Sequence, residues 1–93
     1  MFKLMNHVVV FTMKGCPHCT EFKELLVKEN IEFVDADIDD NSDEYGMFVK
    51  VTENEFIPAI MIVNEETKDA KFYAPDRDFE DLDQAVNLIK ESF

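Results

Sequence analysis

The chain has 93 residues, the size of one domain, and 46% of them are hydrophobic, including nine Phe, which indicates a packed core rather than disorder. Asp and Glu number 21 against 9 Lys and Arg, a formal charge of −12 that gives no electrostatic reason to bind nucleic acid or anionic lipid. No apolar run reaches the roughly 20 residues of a membrane span, and the first ten residues lack the small-residue cleavage site of a secretory signal. We therefore expect a single, monomeric, cytoplasmic domain over residues 1–93, with no nucleic-acid or membrane partner.

The first part of the chain alternates between strand and helix patterns. Residues 7–12 form a β-branched and nearly continuous apolar run, which is typical of a central strand covered on both faces. A helix is predicted from Cys16 and Pro17 to about residue 29, because Pro suits the first helical position. The apolar residues between 32 and 38 predict a second strand.

A second helix is predicted over about residues 41–52. Asn41 and Glu44 have the spacing of a capping box at its start. Four of its side chains are expected to face inward: Tyr45, Phe48, Val49 and Val51. The carboxylates before and within this segment are interpreted as a solvated acidic face, since the loop pattern of a calcium site is missing. They are Glu32, Asp35, Asp37, Asp39, Asp40, Asp43 and Glu44.

The last third of the chain predicts a hairpin and a final helix. Residues 59–63 and 71–73 read as two strands joined by a turn at 64–67. Asp78 is expected to cap a helix whose apolar face consists of Leu82, Ala85, Val86 and Ile89. The order is therefore β-α-β-α-β-β-α. A strand–helix–strand unit gives a parallel pair and the hairpin an antiparallel one, so we predict an α/β protein with three layers (α/β/α) and a four-stranded mixed sheet.

The sharpest chemical signal is Cys16-Pro17-His18-Cys19, at the predicted junction of strand and helix. Disulfide exchange needs a thiolate that attacks and a second thiol close enough to release the mixed disulfide. Two intervening residues, wound into a first helical turn, bring the sulfurs within bonding range. The helix N-terminus stabilises a thiolate at Cys16, whereas Cys19 shares the apolar stripe of Phe22 and is shielded. We therefore predict that Cys16 attacks and that Cys19 resolves.

The cysteine pair has two other interpretations, a zinc site and a structural disulfide. A zinc site needs four ligands, and the only imidazoles in the chain are His7 and His18, whose spacing fits no familiar zinc pattern. A structural disulfide across so short a loop would constrain the unfolded chain little. We therefore predict no metal site and a redox role for the pair.

The sequence resembles a known family. Lys14-Gly-Cys-Pro-His-Cys19, the element order and Ile57-Pro58 before the third strand are similar to the glutaredoxin and thioredoxin superfamily, above all to the compact glutaredoxin-like proteins that bacteriophages often encode. The resemblance implies a thioredoxin fold. It also implies that Pro58 forms a cis peptide bond beside the reactive sulfur, where the backbone of Ile57 would pair with a substrate.

The resemblance extends to part of a glutathione site. Lys14 matches the family's lysine that meets a glutathione carboxylate, and Asp78 or Asp81 would meet the amino group. Glutaredoxins usually carry Tyr at the position of His18 and a Gly-Gly pair before the last helix, and this chain has neither. His18 is instead similar to the Cys-Pro-His-Cys motif of the bacterial periplasmic disulfide oxidase, which implies that it favours the thiolate.

The expected function is thus a thiol–disulfide oxidoreductase that reduces protein disulfides or glutathione mixed disulfides. We expect no bound cofactor and glutathione as the reductant, and the resemblance suggests ribonucleotide reductase as one partner. The alternative is a minimal thioredoxin that a thioredoxin reductase serves. A module that binds a metal or iron–sulfur cluster through Cys16 is the alternative from a different class.

Overall fold

The computed structural model describes residues 6–92, which form four strands and three helices. In chain order these are β1 (Asn6–Thr12), α1 (Pro17–Lys28), β2 (Val34–Asp37), α2 (Ser42–Thr52), β3 (Ala59–Asn64), β4 (Ala70–Tyr73) and α3 (Leu82–Glu91). The predicted order β-α-β-α-β-β-α is therefore confirmed. Within these residues no helix combines the length and the apolar character needed to cross a membrane.

The four strands form one mixed sheet in the order β2-β1-β3-β4. β1 lies next to β2 in a parallel pair, with Val9 opposite Val34, and next to β3 in an antiparallel pair, with Val10 opposite Ile60. β3 and β4 form the predicted hairpin. Because β1 has a neighbour on each side, it is a central strand, as its continuous apolar run predicts.

Helices cover both faces of the sheet. Alternate residues of a strand point to opposite faces, so Val8 and Val10 lie on one face of β1 and Val9 and Phe11 on the other. The first face packs against α1 and α3 through Phe22, Leu26, Val86 and Ile89. The second face packs against α2 through Phe48 and Tyr45. The predicted three-layer architecture is confirmed.

Two predicted elements differ from the structure at their starts. β2 begins at Val34 rather than at residue 32, because its parallel register with β1 starts at the Val9–Val34 pair. At the start of α2, Asn41 occupies the N-cap position but makes no side-chain capping bond. Its amide donates instead to the carbonyl oxygen of Asp37 at 2.9 Å, so the predicted capping box with Glu44 does not form.

The inward face of α2 is narrower than predicted. Phe48 is fully buried and Tyr45 and Val49 are half-buried, but Val51 is 55% exposed. The buried position one residue further on belongs to Thr52, whose hydroxyl donates to the Phe48 carbonyl oxygen at 2.8 Å. The inclusion of Val51 in the core was therefore wrong, because Thr52 completes the helical stripe and satisfies its own polar group.

The cap of α3 also differs from the prediction. The N-cap residue is Asp81, whose Oδ1 accepts a hydrogen bond from the Gln84 backbone N–H at 2.8 Å. The Gln84 side chain accepts in turn from the Glu80 backbone N–H at 2.8 Å. Asp78 is not the cap, because its carboxylate accepts from the Ala74 backbone N–H in the preceding loop.

A charged network joins α1 to the sheet edge. The Thr12 hydroxyl donates to one carboxylate oxygen of Asp35 at 2.5 Å, and the Lys23 ammonium donates to the other at 2.8 Å. Partial burial raises the pKa of the Asp35 carboxyl, but the hydrogen bonds from Lys23 and Thr12 and the Lys23 charge together lower it below its ordinary value. The network therefore favours the ionised carboxylate in the folded state.

We expect Phe48→Ala to lower the free energy of unfolding by about 3–5 kcal/mol, because it removes a buried ring and leaves a cavity. The Phe48 ring packs against Phe11 and Phe72 at centroid distances of 5.5 Å. Val51→Ala on the same helix should change the stability by no more than about 0.5 kcal/mol, as is usual for exposed positions. Urea unfolding of the two variants measures both effects. Equal losses would contradict the assignment of Val51 to the surface.

We expect the stability difference between the wild type and Asp35→Asn to depend on pH. A lowered carboxyl pKa in the folded state adds stability above the unfolded value of about 3.9, and this is lost as the pH falls through the folded value. Since the Asp35 side chain is 44% exposed, solvent screening should keep the difference below about 1 kcal/mol at pH 7. Urea unfolding at pH 7 and pH 3 measures it. Asp40→Asn, which removes an exposed carboxylate, is the control. Its stability difference from the wild type should change little between the two pH values.

Candidate active site

The site begins at the turn between β1 and α1. The Cys16 backbone N–H donates to the Met13 carbonyl oxygen at 3.3 Å, which closes the turn. Gly15 has a φ of +78°, a left-handed conformation that glycine adopts without steric cost. This turn directs the chain from the sheet into the helix, and Pro17 is the first helical residue, as predicted.

The two cysteines occupy different environments in the first turn of α1. Cys16 is the N-cap residue, and its sulfur accepts a hydrogen bond from the Cys19 backbone N–H at 3.2 Å. Cys16 is half-buried, whereas Cys19 is only 1% exposed and shares the inner face of the helix with Phe22. The two sulfurs are joined in a disulfide, and their Cα atoms lie 5.2 Å apart. The predicted proximity of the sulfurs and the shielding of Cys19 are both present.

The Ile57–Pro58 peptide bond is cis, as the resemblance implied. The loop before it is held by hydrogen bonds from two side chains. Asn54 accepts from the Phe56 backbone N–H at 2.9 Å and donates to the Pro75 carbonyl oxygen at 2.8 Å, so it links two loops. The Tyr45 hydroxyl donates to the Glu55 carbonyl oxygen at 2.7 Å.

A groove of about 700 Å³ opens beside the dithiol. Its walls come from α1, from the cis-proline segment 56–58 and from the segment 75–83, which leads into α3. The apolar lining consists of Leu25, Phe56, Ile57, Pro58, Pro75, Phe79 and Leu82. The polar lining consists of His18 and five carboxylates: Glu21, Asp76, Glu80, Asp81 and Asp83.

The groove includes some of the predicted site residues and not others. His18, Ile57 and Pro58 line it, and His18 is exposed, so its imidazole is accessible to a bound substrate. Lys14 is exposed in the turn before Cys16 but does not line the groove. The roles of these residues toward a substrate stay predictions.

Of the two aspartates considered for an amino group, only Asp81 lines the groove. Asp78 uses one carboxylate oxygen to accept from the Ala74 backbone N–H at 2.8 Å and from Arg77 Nε at 2.7 Å. Its contacts are therefore those of a residue that holds the loop before α3. Its predicted role in glutathione binding has no support from this placement.

Several residues that shape the site were not singled out from the sequence. Phe56 is 60% exposed at the rim, and Phe79 is buried beneath the groove. Asp81 and Gln84 do have a capping-box spacing that would have located the start of α3. For Phe56 and Phe79 the sequence holds no comparable signal. Among the residues that the structure describes, no group of three or more His, Cys, Asp or Glu is arranged to hold a metal ion.

Solved structures of known proteins share this fold. The chain is similar to glutaredoxin from Brucella melitensis, with a TM-score of 0.60 and 20% identity over 96% of this chain and 84% of that one. It is also similar to a thioredoxin from Trichomonas vaginalis, with a TM-score of 0.56 and 20% identity over 94% of this chain and 75% of that one. The fold is the thioredoxin fold. In this fold the Cys16–Cys19 disulfide lies in the first turn of α1.

Sequence comparisons assign the family. The glutaredoxin family model matches residues 8–66, which is more than half of the chain. The "Gene 56 protein" of Mycobacterium phage L5 is 32% identical over 89 residues, which cover 96% of this chain and 81% of that protein. The chain belongs to the glutaredoxin family. With the Cys16–Cys19 pair at the start of α1, it is a thiol–disulfide oxidoreductase.

We expect iodoacetamide to modify Cys16 before Cys19 in the reduced protein, because Cys19 is buried and Cys16 is accessible. The Cys19 N–H and the helix N-terminus should also allow Cys16 to react well below pH 8.5, near which an ordinary thiol titrates. Mass spectrometry of the alkylated peptides against pH measures both effects. Cys16→Ser is the control and should leave a slowly reacting thiol. Equal rates at the two cysteines would contradict the assignment of their roles.

Proposed function

We propose that the protein reduces disulfides by dithiol exchange, with Cys16 as the attacking cysteine and Cys19 as the resolving cysteine, and that glutathione restores the dithiol. The observation that carries the proposal is the position of the Cys16 sulfur. It caps α1, accepts from the Cys19 N–H at 3.2 Å and is the more accessible of the two sulfurs. A negative charge on this sulfur is stabilised by the N–H group and by the helix dipole.

The reaction proceeds in two exchanges. The Cys16 thiolate attacks one sulfur of the substrate disulfide, the substrate S–S bond breaks, and the departing sulfur takes a proton. The Cys19 thiol then loses its proton and attacks the Cys16 sulfur, which releases the second substrate sulfur as a thiol. The substrate gains two electrons and two protons, and the protein is left with the Cys16–Cys19 disulfide. Two glutathione thiols reverse the process and leave as glutathione disulfide.

The cis-proline segment is proposed to orient the substrate. An extended peptide beside Ile57 would pair with its backbone N–H and C=O groups, a short form of strand addition. Such pairing does not depend on the substrate side chains, so one site serves different disulfides. Ribonucleotide reductase is one protein substrate of this kind that the family resemblance suggests. The proposed setting is the cytoplasm, where thiols are kept reduced.

A second electron source is favoured by one observation. Glutathione carries two carboxylates and one ammonium group, whereas five carboxylates line the groove and none of the described Lys and Arg residues does. Such a surface repels a net anion. A reductase that meets the dithiol directly would not need a bound glutathione, so a minimal thioredoxin served by a reductase is the second candidate.

One assay series tests both the exchange and the electron source. Reduction of insulin and of a glutathionylated peptide is followed with glutathione plus glutathione reductase, and separately with thioredoxin reductase, each with NADPH. We expect turnover with the glutathione system. Cys16→Ser should abolish it, because the nucleophile is lost. Cys19→Ser should retain reduction of the glutathionylated peptide but stop at a mixed disulfide with insulin. Turnover with thioredoxin reductase alone would show that the reductase, and not glutathione, is the electron source. Turnover by Cys16→Ser would overturn the mechanism.

A further inference from the structure

We propose that the groove beside the dithiol selects protein substrates with a basic and partly apolar segment next to the disulfide. The inference deepens the proposed function, on which it rests, by naming the class of substrate. The groove is lined by His18, which lies between the two cysteines, by Glu21 one turn further along α1, and by Ile57 and Pro58 before β3. A peptide whose disulfide reaches Cys16 therefore passes over it.

The size and the floor of the groove fit a short peptide segment. A volume of about 700 Å³ lies in the range of small-ligand sites, which corresponds to a few side chains rather than to a protein surface. The floor contains Leu25, Phe79 and Leu82, and the 60% exposed Phe56 ring stands at the rim. Burial of an apolar substrate side chain against these groups is favourable by the area removed from water.

Apart from His18, the ionisable side chains that line the groove are all carboxylates. The chain has nine Lys and Arg, but none of those in residues 6–92 lines the groove. Arg77 adjoins the groove residue Asp76 in sequence, yet its guanidinium donates to the Asp78 carboxylate and to the Phe72 carbonyl oxygen. Lys23 of α1 is likewise engaged, with Asp35.

Within residues 6–92 the groove carboxylates lack Lys and Arg partners. Among the described residues, none of the five forms an ion pair with a Lys or Arg, and Asp81 accepts only from a backbone N–H. All five carboxylates are exposed, so they attract a cation as surface charges do, and salt screens that attraction. A substrate Lys or Arg supplies the missing partner, whereas a substrate Asp or Glu is repelled.

The first experiment measures selectivity in a single turnover, so that the electron source does not enter. The pre-reduced protein is mixed with one of two peptides that have the same internal disulfide and the same Phe. Three Lys flank one cysteine in the first peptide, and three Glu replace them in the second. Each rate is divided by the rate with dithiothreitol, which corrects for the reactivity of the disulfide itself. We expect the basic peptide to react about tenfold faster at low salt, and the ratio to fall towards one at 0.5 M NaCl because salt screens the charges.

The second experiment assigns the selectivity to the groove. One variant combines Glu21→Gln, Asp76→Asn, Glu80→Gln and Asp83→Asn, and it leaves Asp81 in place because that residue caps α3. A matched variant makes the same change of charge at exposed sites outside the groove, with Glu24→Gln, Asp39→Asn, Asp40→Asn and Glu91→Gln. Circular dichroism and the thermal midpoint check that both variants fold. The groove variant should lose the preference, and the matched variant should keep it.

The outcomes separate the inference from the proposed function. Equal corrected rates for the two peptides would overturn the substrate class and leave the exchange reaction standing. Failure to reduce either peptide would overturn the proposed function itself. A similar loss of selectivity in both variants would show that the net charge of the protein, and not the groove, attracts the basic segment, and this too would overturn the inference.

Discussion

The active site depends on the antiparallel pairing of β1 with β3. In this register Phe11, at the end of β1, lies opposite Ala59, at the start of β3. The turn that carries Cys16 follows β1, and Pro58 directly precedes β3. One set of backbone hydrogen bonds therefore brings two segments that lie far apart in sequence to the same end of the sheet. The same strand pairs with β2 on its other side. Its side chains also contribute to the hydrophobic clusters on both faces of the sheet.

The Cys16 sulfur caps α1 and is also the proposed nucleophile. A side chain that accepts from an N–H group of the first helical turn is what a helix N-terminus needs, and Ser, Thr, Asp or Asn usually provides it. Here a sulfur occupies that position and accepts from the Cys19 N–H. The interaction that stabilises the start of α1 is thus also the one that stabilises a thiolate. Cys19, one turn further along, is held away from solvent by the packing of the same helix.

The sequence was most informative where hydrophobic spacing and the cysteine motif act locally. The strand at residues 7–12 and the Cys16–Cys19 turn were predicted because each depends on neighbouring residues. The cap of α3 was misplaced, because Asp is a good N-cap residue at both 78 and 81, and the capping-box spacing of Asp81 and Gln84 was not used to choose between them. In the structure Asp78 accepts from the Ala74 N–H, and Asp81 accepts from the Gln84 N–H. The acidic groove was not predicted at all. Its carboxylates come from α1 and from the segment 76–83, and only the fold brings them together.

The described sheet has two edges, β2 and β4, and acidic residues are concentrated at the β2 edge. In the part of the chain that the structure describes, β2 is an end strand, so one row of its backbone groups faces no other strand. Such edges invite pairing between molecules. Val34 is 56% exposed on this edge. Asp35, the next residue, is paired with Lys23, but Asp37 and two more aspartates in the next turn add negative charge. Two copies that met through β2 would bring these carboxylates face to face. Repulsion at this edge therefore opposes aggregation by intermolecular sheet extension, and this protection weakens in acid, where carboxylates become neutral.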